Sequence, residues 1–315
     1  MRRALIVGIN NYPAAPLKGC VNDANTLSSI LQRNSDGSPN FDVKLLTDPS
    51  ESITRSKLRE SIEKLFAQDC DIALFYFSGH GFLKSNGGYI VTSDYKKYDE
   101  GISMDEILNY ANQSTIRNKV IILDCCHSGA FGTPSINNNG LAQLSDGLTI
   151  LTASKDSESA LEINGGGVFT GLLADALYGG ASDLRGNITP GSIYSYIDQA
   201  LGAWDQRPVF KTNVTKFVSL RQTTPPIPLD ELREIKELFS DATEEIQLDP
   251  SFEPSSNCPN EDNCEKFRIL QKYNRINLVI PVGEEHMYYA AMNSKTCKLT
   301  AKGYHYWRLA KENKL

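Results

Sequence analysis

The chain has 315 residues, of which 40% are hydrophobic, and carries a net charge of −6. This length predicts a full core and more than one domain, while the negative charge leaves no global basic surface for nucleic acid. Seven scattered cysteines are typical of a reducing compartment rather than of a disulfide-stapled secreted domain. Because no apolar run suits a signal sequence or a membrane span, we expect a cytoplasmic protein.

The first 220 residues alternate between two apolar patterns. Continuous or alternating apolar runs predict strands at 3–9, 41–47, 72–77, 89–92, 120–123 and 148–153, with a last strand pair around 208–220. Apolar residues at helical spacing predict helices at 23–31, 54–66, 103–111, 169–177 and 192–201. Strands that alternate with helices indicate an α/β fold with a mostly parallel sheet between two helical layers.

A proline-rich segment at 223–229 is the predicted linker between two domains. It separates an α/β domain, residues 1–222, from a smaller α+β domain, residues 230–315. An acidic amphipathic pattern predicts a helix over 229–246, and an apolar run predicts a strand over 276–282. The following segment weakly resembles a winged helix.

Two predicted strands lead into residues that carry chemistry. The run at 120–123 is followed by Asp124 and Cys126, and the run at 72–77 is followed by His80. If these strands are parallel neighbours, their carboxyl ends meet at the sheet edge where α/β proteins hold reactive groups. An imidazole beside a thiol is the arrangement that nucleophilic catalysis by cysteine requires.

Strand geometry sorts these residues by face, because successive side chains point to opposite sides. Asp124 and Cys126 are therefore expected to project together, with Cys125 turned away, and Ser78 shares a side with His80. We assign Cys126 as the nucleophile, His80 as its base and Cys125 as structural. A cysteine at a strand end is more often an inert packed thiol. The assignment of Cys126 as the nucleophile therefore depends on the presence of His80 and the acidic residues in the same motifs.

The oxyanion of the tetrahedral intermediate needs hydrogen-bond donors. The backbone amides of Cys126 and Gly81 are the candidates, since neighbouring glycines leave backbone open to a ligand. The sequence shows no third catalytic residue that would orient His80, and none is predicted.

Three motifs resemble the caspase/metacaspase family of cysteine peptidases. Ser-Gly-His-Gly at 78–81 is followed by Asp-Cys-Cys-His-Ser-Gly at 124–129, and the second cysteine lies 46 positions after the histidine. Caspases carry their histidine about 50 residues before the cysteine. Metacaspases have serine where this chain has Cys125, and Gly-Cys-Val-Asn-Asp-Ala at 19–24 resembles their first-helix motif. The resemblance implies a three-layer caspase-like sandwich and a cysteine endopeptidase.

In metacaspases the positions that match Cys20, Asp23, Ser78 and Asp124 line the pocket for the residue before the scissile bond. Two carboxylates in one cavity suit a guanidinium or ammonium group, so we expect cleavage after Arg or Lys rather than after Asp. A plainer alternative for Asp23 is an acid that stabilises the first turn of a helix.

Many metacaspases need calcium, and the resemblance implies ligands at Asp94 and at a pair of acids near the next helix. Here that pair is Met104 and Asp105. Asp94, Asp105 and Glu106 would supply too few ligands for an ion that takes six to eight oxygens. We therefore predict no cofactor and calcium-independent activity.

Self-processing is predicted to be absent from the loop after the proposed nucleophile. No Lys or Arg occurs from His127 to Ser154, and Lys155 is the first candidate beyond. An enzyme that cuts after basic residues therefore needs another control, for which the C-terminal domain is the candidate.

Three interpretations of the C-terminal domain stay open. It is a packed accessory domain with its aromatics in the core, a sensor for a small signalling nucleotide, or, less favoured, a DNA-binding domain. The sensor interpretation depends on side chains that stack on bases or bind phosphates: Tyr288, Tyr289, Tyr304, Tyr306, Trp307, Arg275 and Arg308. The effector-binding residues themselves are not predicted, and Cys258, Cys264, Cys297 and His286 lack a zinc-ligand spacing.

Prokaryotic caspase-like peptidases joined to sensor domains often act as antiviral or cell-death effectors, and this architecture resembles theirs. The resemblance therefore implies a peptidase that acts on protein substrates and is held inactive until its C-terminal domain receives a signal. The alternative is a catalytically silent adaptor that uses the fold to bind partners. No membrane partner is expected.

Overall fold

The computed structural model describes residues 1–13, 15–48, 50–84, 87–96, 99–125, 143–153, 162–163, 166–201 and 207–315. The chain divides into two compact units, Met1–Thr224 and Pro225–Leu315. None of the helices in these ranges combines the length and apolar character needed to cross a bilayer.

The first unit alternates strands and helices. Its described strands are β1 (Arg2–Gly8), β2 (Asp42–Thr47), β3 (Ile72–Ser78), β4 (Gly81–Lys84), β5 (Gly87–Lys96), β6 (Asp99–Ser103), β7 (Asn118–Asp124), β8 (Leu148–Thr152), β9 (Glu162–Ile163), β10 (Gly166–Gly167), β11 (Asn187–Ile188), β12 (Val209–Asn213) and β13 (Arg221–Gln222). Its described helices are α1 (Cys20–Gln32), α2 (Arg55–Ala67), α3 (Met104–Gln113), α4 (Val168–Asp175), which continues into a π-helical turn (Ala176–Gly180), and α5 (Pro190–Ala200).

A six-stranded sheet has the order β12-β8-β7-β3-β1-β2. The five strands from β2 to β8 pair in parallel, and β12 closes one edge antiparallel to β8. The α/β fold with a mostly parallel sheet is as predicted. The prediction of a last strand pair around 208–220 is wrong, because β13 pairs with β11 and not with β12. The amide of Leu220 donates to the carbonyl of Ile188, which draws the chain away from the edge strand.

Side-chain alternation builds the two helical layers. Tyr76 and Ile122 face one core, which they share with residues of α1, α4 and α5. Phe75 and Ile121 face the other core, which they share with α2 and α3. Because both faces of the central strands are buried, their sequences are continuous apolar runs, as in other covered parallel sheets.

The second unit packs helices beside a small sheet. Its elements are α6 (Leu229–Arg233), α7 (Ile235–Leu238), β14 (Glu245–Gln247), a 3-10 turn (Pro250–Phe252), α8 (Glu261–Arg275), β15 (Val279–Val282), α9 (Met287–Met292), β16 (Thr296–Leu299) and α10 (Ala301–Lys311). The strands form an antiparallel sheet in the order β14-β16-β15. The winged-helix resemblance stays a prediction.

The single helix predicted over 229–246 is wrong, since α7 ends at Leu238 and a strand begins at Glu245. The Glu244 carboxylate accepts hydrogen bonds from the backbone amide and hydroxyl of Ser240, and Asp241 accepts from Thr243. Such local side-chain bonds to the backbone compete with helix formation.

Several C-terminal aromatics lie on the surface. Tyr288, Tyr289 and Tyr304 are 42%, 50% and 46% exposed, whereas the core holds Phe267 and Tyr273. The interpretation that places Tyr288, Tyr289 and Tyr304 in the core of the C-terminal domain is therefore wrong.

Candidate active site

The two strands that carry the motifs are parallel neighbours, as the sequence predicted. In the pairing of β3 with β7, Ser78 lies opposite Asp124. The amide of Gly79 donates to the carbonyl oxygen of Asp124 across 3.4 Å, just beyond the last paired residues. The residues that follow both strands therefore start from the same edge of the sheet.

His80 is held by its ring and by its backbone. Its Nε2 lies 2.7 Å from the carbonyl oxygen of Ala15. A carbonyl oxygen only accepts, so this contact places the hydrogen of the neutral ring on Nε2 and leaves the lone pair on Nδ1. His80 as a whole is half-buried.

Tyr12 contacts both the ring and the backbone of His80. Its ring lies 4.6 Å from the His80 ring, centroid to centroid. The hydroxyl accepts from the amide of His80 at 3.1 Å and donates to the carbonyl of Val91 at 3.2 Å. Burial raises the pKa of Tyr12 well above its ordinary value, so the hydroxyl remains protonated and keeps both bonds.

The proposed nucleophile, Cys126, lies outside the described residues, as does His127. Its neighbour Cys125 is fully buried and packs in the core on the α2 and α3 side. Asp124, two positions before Cys126, is buried and bonded to a residue of α4 on the other side of the sheet. Cys125 and Asp124 thus face opposite ways, as strand alternation predicts.

Gly81, the other predicted oxyanion donor, begins β4 and pairs with Ile90 of β5. It follows His80 directly in the chain. Its role stays a prediction.

Three of the four predicted pocket residues, Asp23, Ser78 and Asp124, converge beside this edge. The hydroxyl of Ser78 donates to Oδ2 of Asp23 at 3.3 Å, and the amide of Gly167 donates to the same oxygen at 3.1 Å. A Cβ placed on Gly167 would lie 3.2 Å from that oxygen and closer still to Oδ2 of Asp124. Asp23 and Asp124 are only 5% exposed, so two buried carboxylates approach one point. Cys20 is buried one turn before Asp23 on α1.

A family comparison matches this architecture. The profile of the caspase domain, peptidase family C14, matches residues 1–219. The chain belongs to the caspase-domain family. The predicted caspase-like cysteine peptidase family is thereby confirmed.

Individual relatives of this caspase domain are distant. Metacaspase-1 of Botryotinia fuckeliana is 30% identical over 146 residues, which cover 41% of this chain and 34% of that protein. Metacaspase-1 of Arabidopsis thaliana is 30% identical over 145 residues, 41% of this chain and 39% of that protein. The matched part thus spans between a third and two fifths of each of these relatives.

Solved structures share the fold of the caspase domain. The structure of caspase-1 from Spodoptera frugiperda superposes with a TM-score of 0.52 at 15% identity, over 71% of this chain and 91% of that one. Protein GSU0716 of Geobacter sulfurreducens gives a TM-score of 0.53 at 19% identity, over 69% of this chain and 95% of that one. These likenesses confirm the caspase-like sandwich.

Two of the acids considered for calcium have protein partners in this caspase domain. Glu106 accepts from Nε and Nη2 of Arg59 at 2.5 and 3.0 Å. Oδ1 of Asp94 accepts from the hydroxyl of Thr92 and from the amide of Arg55 at the start of α2. Asp105 lies in the first turn of α3, where its amide donates to Ser103.

The three cysteines of the C-terminal unit differ in their burial. Cys297 lies in β16, where burial raises its pKa to about 12, whereas Cys258 is exposed and Cys264 half-buried. Within the described ranges, no group of three or more His, Cys, Asp or Glu side chains is placed to hold a metal ion.

Some residues of the site gave no signal in the sequence. Ala15 and Tyr12 contact His80. Gly167 and Thr170 donate hydrogen bonds to the carboxylate pair, and Tyr76 contacts the hydroxyl of Thr170. The hydroxyl of Thr170 donates to Oδ2 of Asp124 at 2.6 Å and lies 2.6 Å from the hydroxyl of Tyr76.

Proposed function

We propose that this caspase-domain chain is a cysteine endopeptidase that cleaves proteins after Arg or Lys, with Cys126 as nucleophile and His80 as base. The observation that carries the proposal is the convergence of two buried carboxylates beside the strand ends that lead to both residues. Asp23 and Asp124 approach a single point next to Gly167. Burying two negative charges together is costly unless a cation or strong donors compensate them.

The proposed chemistry uses the lone pair on Nδ1 of His80. Nδ1 accepts the thiol proton of Cys126, and the thiolate attacks the carbonyl carbon of the peptide bond. The amides of Cys126 and Gly81 are proposed to stabilise the oxyanion. The imidazolium then gives its proton to the leaving amine, and water, activated by the same nitrogen, hydrolyses the thioester.

Specificity follows from the charge of the pocket. A guanidinium presents several N–H donors in a fixed plane and pairs with carboxylates in a bidentate manner, whereas an ammonium is a single compact charge. Arg is therefore preferred over Lys before the scissile bond. An Asp side chain in the same pocket would face two like charges, which makes cleavage after Asp unfavourable.

A covalent label tests this proposal. With nucleotides added, an arginyl chloromethyl ketone should modify the full-length protein once, and peptide mass spectrometry should place the adduct on Cys126. The matched aspartyl reagent should label it far more slowly, and the Cys126→Ala variant should not react. Faster labelling by the aspartyl reagent, or an adduct on another cysteine, would contradict the proposal.

We further propose that the C-terminal unit holds the peptidase inactive until it binds a signal, with a small nucleotide as the proposed ligand. An exposed tyrosine ring, a half-buried indole and a nearby cation support this. Tyr304 stacks with Trp307 at 6.2 Å, and Nζ of Lys311 lies 4.6 Å from the Trp307 ring centroid. Such surfaces stack on bases and attract phosphates.

Calorimetry on the full chain tests the ligand. Cyclic and linear nucleotides should bind with a heat that is lost in the Trp307→Ala variant, and they should increase turnover of an Arg reporter. Binding of duplex DNA with no response to nucleotides would contradict the nucleotide proposal and favour a DNA-binding unit. A role as an antiviral or cell-death effector rests on this signal and stays a proposal.

A further inference from the structure

The start of α4 contacts both carboxylates of the proposed pocket. The amide of Gly167 donates to Oδ1 and Oδ2 of Asp23 at 3.3 and 3.1 Å. The hydroxyl of Thr170 donates to Oδ2 of Asp124 at 2.6 Å. We propose that Gly167 and Thr170 are positioning residues that fix the spacing of the two carboxylates and thereby set the preference for Arg over Lys. The inference rests on the proposed function, because it concerns the same pocket.

Thr170 belongs to a directed chain of hydroxyls. A threonine hydroxyl has one hydrogen, which Thr170 gives to Asp124. The 2.6 Å contact with Tyr76 therefore has the tyrosine hydroxyl as its donor. Tyr76 is fully buried, and burial, followed by the negative charges of Asp124 and Asp23, raises its pKa well above the ordinary value. Tyr76 consequently stays protonated and orients Thr170 toward the carboxylate.

Gly167 acts through its amide and through its lack of a side chain. It is the N-cap of α4, and its amide donates to Asp23 from the amino-terminal end of that helix, which carries a partial positive charge. A Cβ at this position would clash with Oδ2 of Asp124 and would lie 3.2 Å from Oδ2 of Asp23. Any larger residue must displace at least one of them. Glycine at this position therefore lets both carboxylates approach the same point.

This arrangement has a measurable consequence for specificity. A bidentate guanidinium needs acceptors at fixed positions, whereas an ammonium tolerates their movement. Loosening the pair therefore weakens the Arg substrate more than the Lys substrate. A purely structural role for Gly167 or Thr170 would lower both activities together and leave their ratio unchanged.

Two glycines of the same segment provide a matched comparison. Gly171, on α4, is exposed and has no heavy atom within 4 Å of where a Cβ would lie. Gly171→Ala should therefore keep the KM values and the Arg-to-Lys ratio of kcat/KM. Gly167→Ala keeps the amide, but its Cβ would displace the Asp124 carboxylate. The KM for an Arg reporter should therefore rise roughly tenfold or more, because the substrate loses a hydrogen bond to a charged group, which is worth about that factor, and the ratio should fall. Equal behaviour of the two variants would overturn the proposal.

Thr170 allows a rescue experiment. Thr170→Val keeps the branched shape but removes the donor, so the KM for the Arg reporter should rise about tenfold with little change in kcat. Thr170→Ser keeps the hydroxyl and should stay near wild type. Thr149→Val is the control, because Thr149 is equally buried and bonds through its hydroxyl to Thr212 at 2.9 Å. A serine variant as impaired as the valine variant would contradict a positioning role.

Binding without turnover separates this inference from the proposed activity. In a Cys126→Ala background, benzamidine should bind by calorimetry, and adding Gly167→Ala or Thr170→Val should weaken its Kd by tenfold or more. Benzamidine that binds equally well to all three proteins, or to none, overturns the inference. A protein that binds benzamidine as expected but hydrolyses neither Arg nor Lys reporters, with nucleotides added or omitted, would refute the peptidase proposal and leave the positioning roles supported.

Discussion

Nε2 of His80 lies 2.7 Å from the carbonyl oxygen of Ala15, a backbone group 65 positions earlier in the chain. This contact sets the tautomer that leaves Nδ1 ready to accept a proton. Orientation of the proposed base therefore depends on the loop between β1 and α1 and on the packing of Tyr12 beside the ring.

The first prediction concerns Tyr12. Tyr12→Phe keeps the ring against His80 but removes the acceptor for its amide and the donor to Val91. We expect kcat for an Arg reporter to fall about tenfold with KM nearly unchanged, and the free energy of unfolding to drop by about 1–3 kcal/mol. Steady-state kinetics and urea unfolding measure both. A variant with unchanged kcat would show that the loop does not position the base.

The second prediction separates the adjacent cysteines. Cys125 is fully buried in the core, so Cys125→Ala should retain turnover and lose about 1–2 kcal/mol of stability through the small cavity. Cys126→Ala should abolish turnover while it keeps the wild-type melting temperature. Loss of activity in the Cys125 variant with a normal melting temperature would contradict the assignment.

The third prediction is calcium independence. The bidentate Arg59–Glu106 pair and the bonds of Asp94 to Thr92 and Arg55 already engage oxygens that an ion would need. Turnover should therefore be the same in millimolar calcium and in excess chelator. Activation by calcium that chelator reverses would show that these protein bonds yield to the ion.

The fourth prediction concerns acid stability of the C-terminal unit. The Glu231 side chain is 16% exposed and bonded to Lys272 at 2.7 Å and to Arg268 at 3.2 Å. The hydrogen bond from Lys272 is the main cause that holds the pKa of Glu231 below its ordinary value. The carboxylate therefore stabilises the fold above its unfolded pKa of about 4.3, and this stability is lost as the pH falls through the lower, folded value.

Urea unfolding between pH 3 and pH 7 checks this. Glu231→Gln should lower the stability at neutral pH and flatten its decline in acid. Glu265→Gln is the control, because Glu265 also pairs with Arg268 but its side chain is 61% exposed, where ion pairs contribute little. Similar pH profiles for both variants would contradict the account of Glu231.

The sequence predicted the parts of the site that strand alternation and motifs encode. The apolar runs before Ser78 and Asp124 identified neighbouring strands, and alternation placed Asp124 and Cys125 on opposite faces. The carboxylate pair could also be anticipated, because both acids lie in motifs that resemble the metacaspase pattern.

The missing parts come from tertiary contacts without a side-chain signature. The carbonyl of Ala15 looks like any other backbone group in the sequence, and Gly167 meets Asp23 across 144 positions. Thr170 lies on an apolar helix, where its hydroxyl is indistinguishable from an ordinary buried threonine. In the C-terminal unit, the acidic amphipathic pattern after Pro228 predicted a continuous helix. It gave no sign of the turn that Ser240, Asp241 and Glu244 form through local hydrogen bonds.

The central claim is that a thiol beside His80 cleaves after the basic residue that the Asp23 and Asp124 carboxylates select. The most direct test compares kcat/KM of the full-length protein for matched reporter peptides with Arg, Lys or Asp before the scissile bond, with nucleotides added and omitted. The account predicts turnover in the order Arg, Lys and then negligible Asp, absent in Cys126→Ala and His80→Ala. Preferred turnover of the Asp peptide, or turnover that survives in Cys126→Ala, would contradict it.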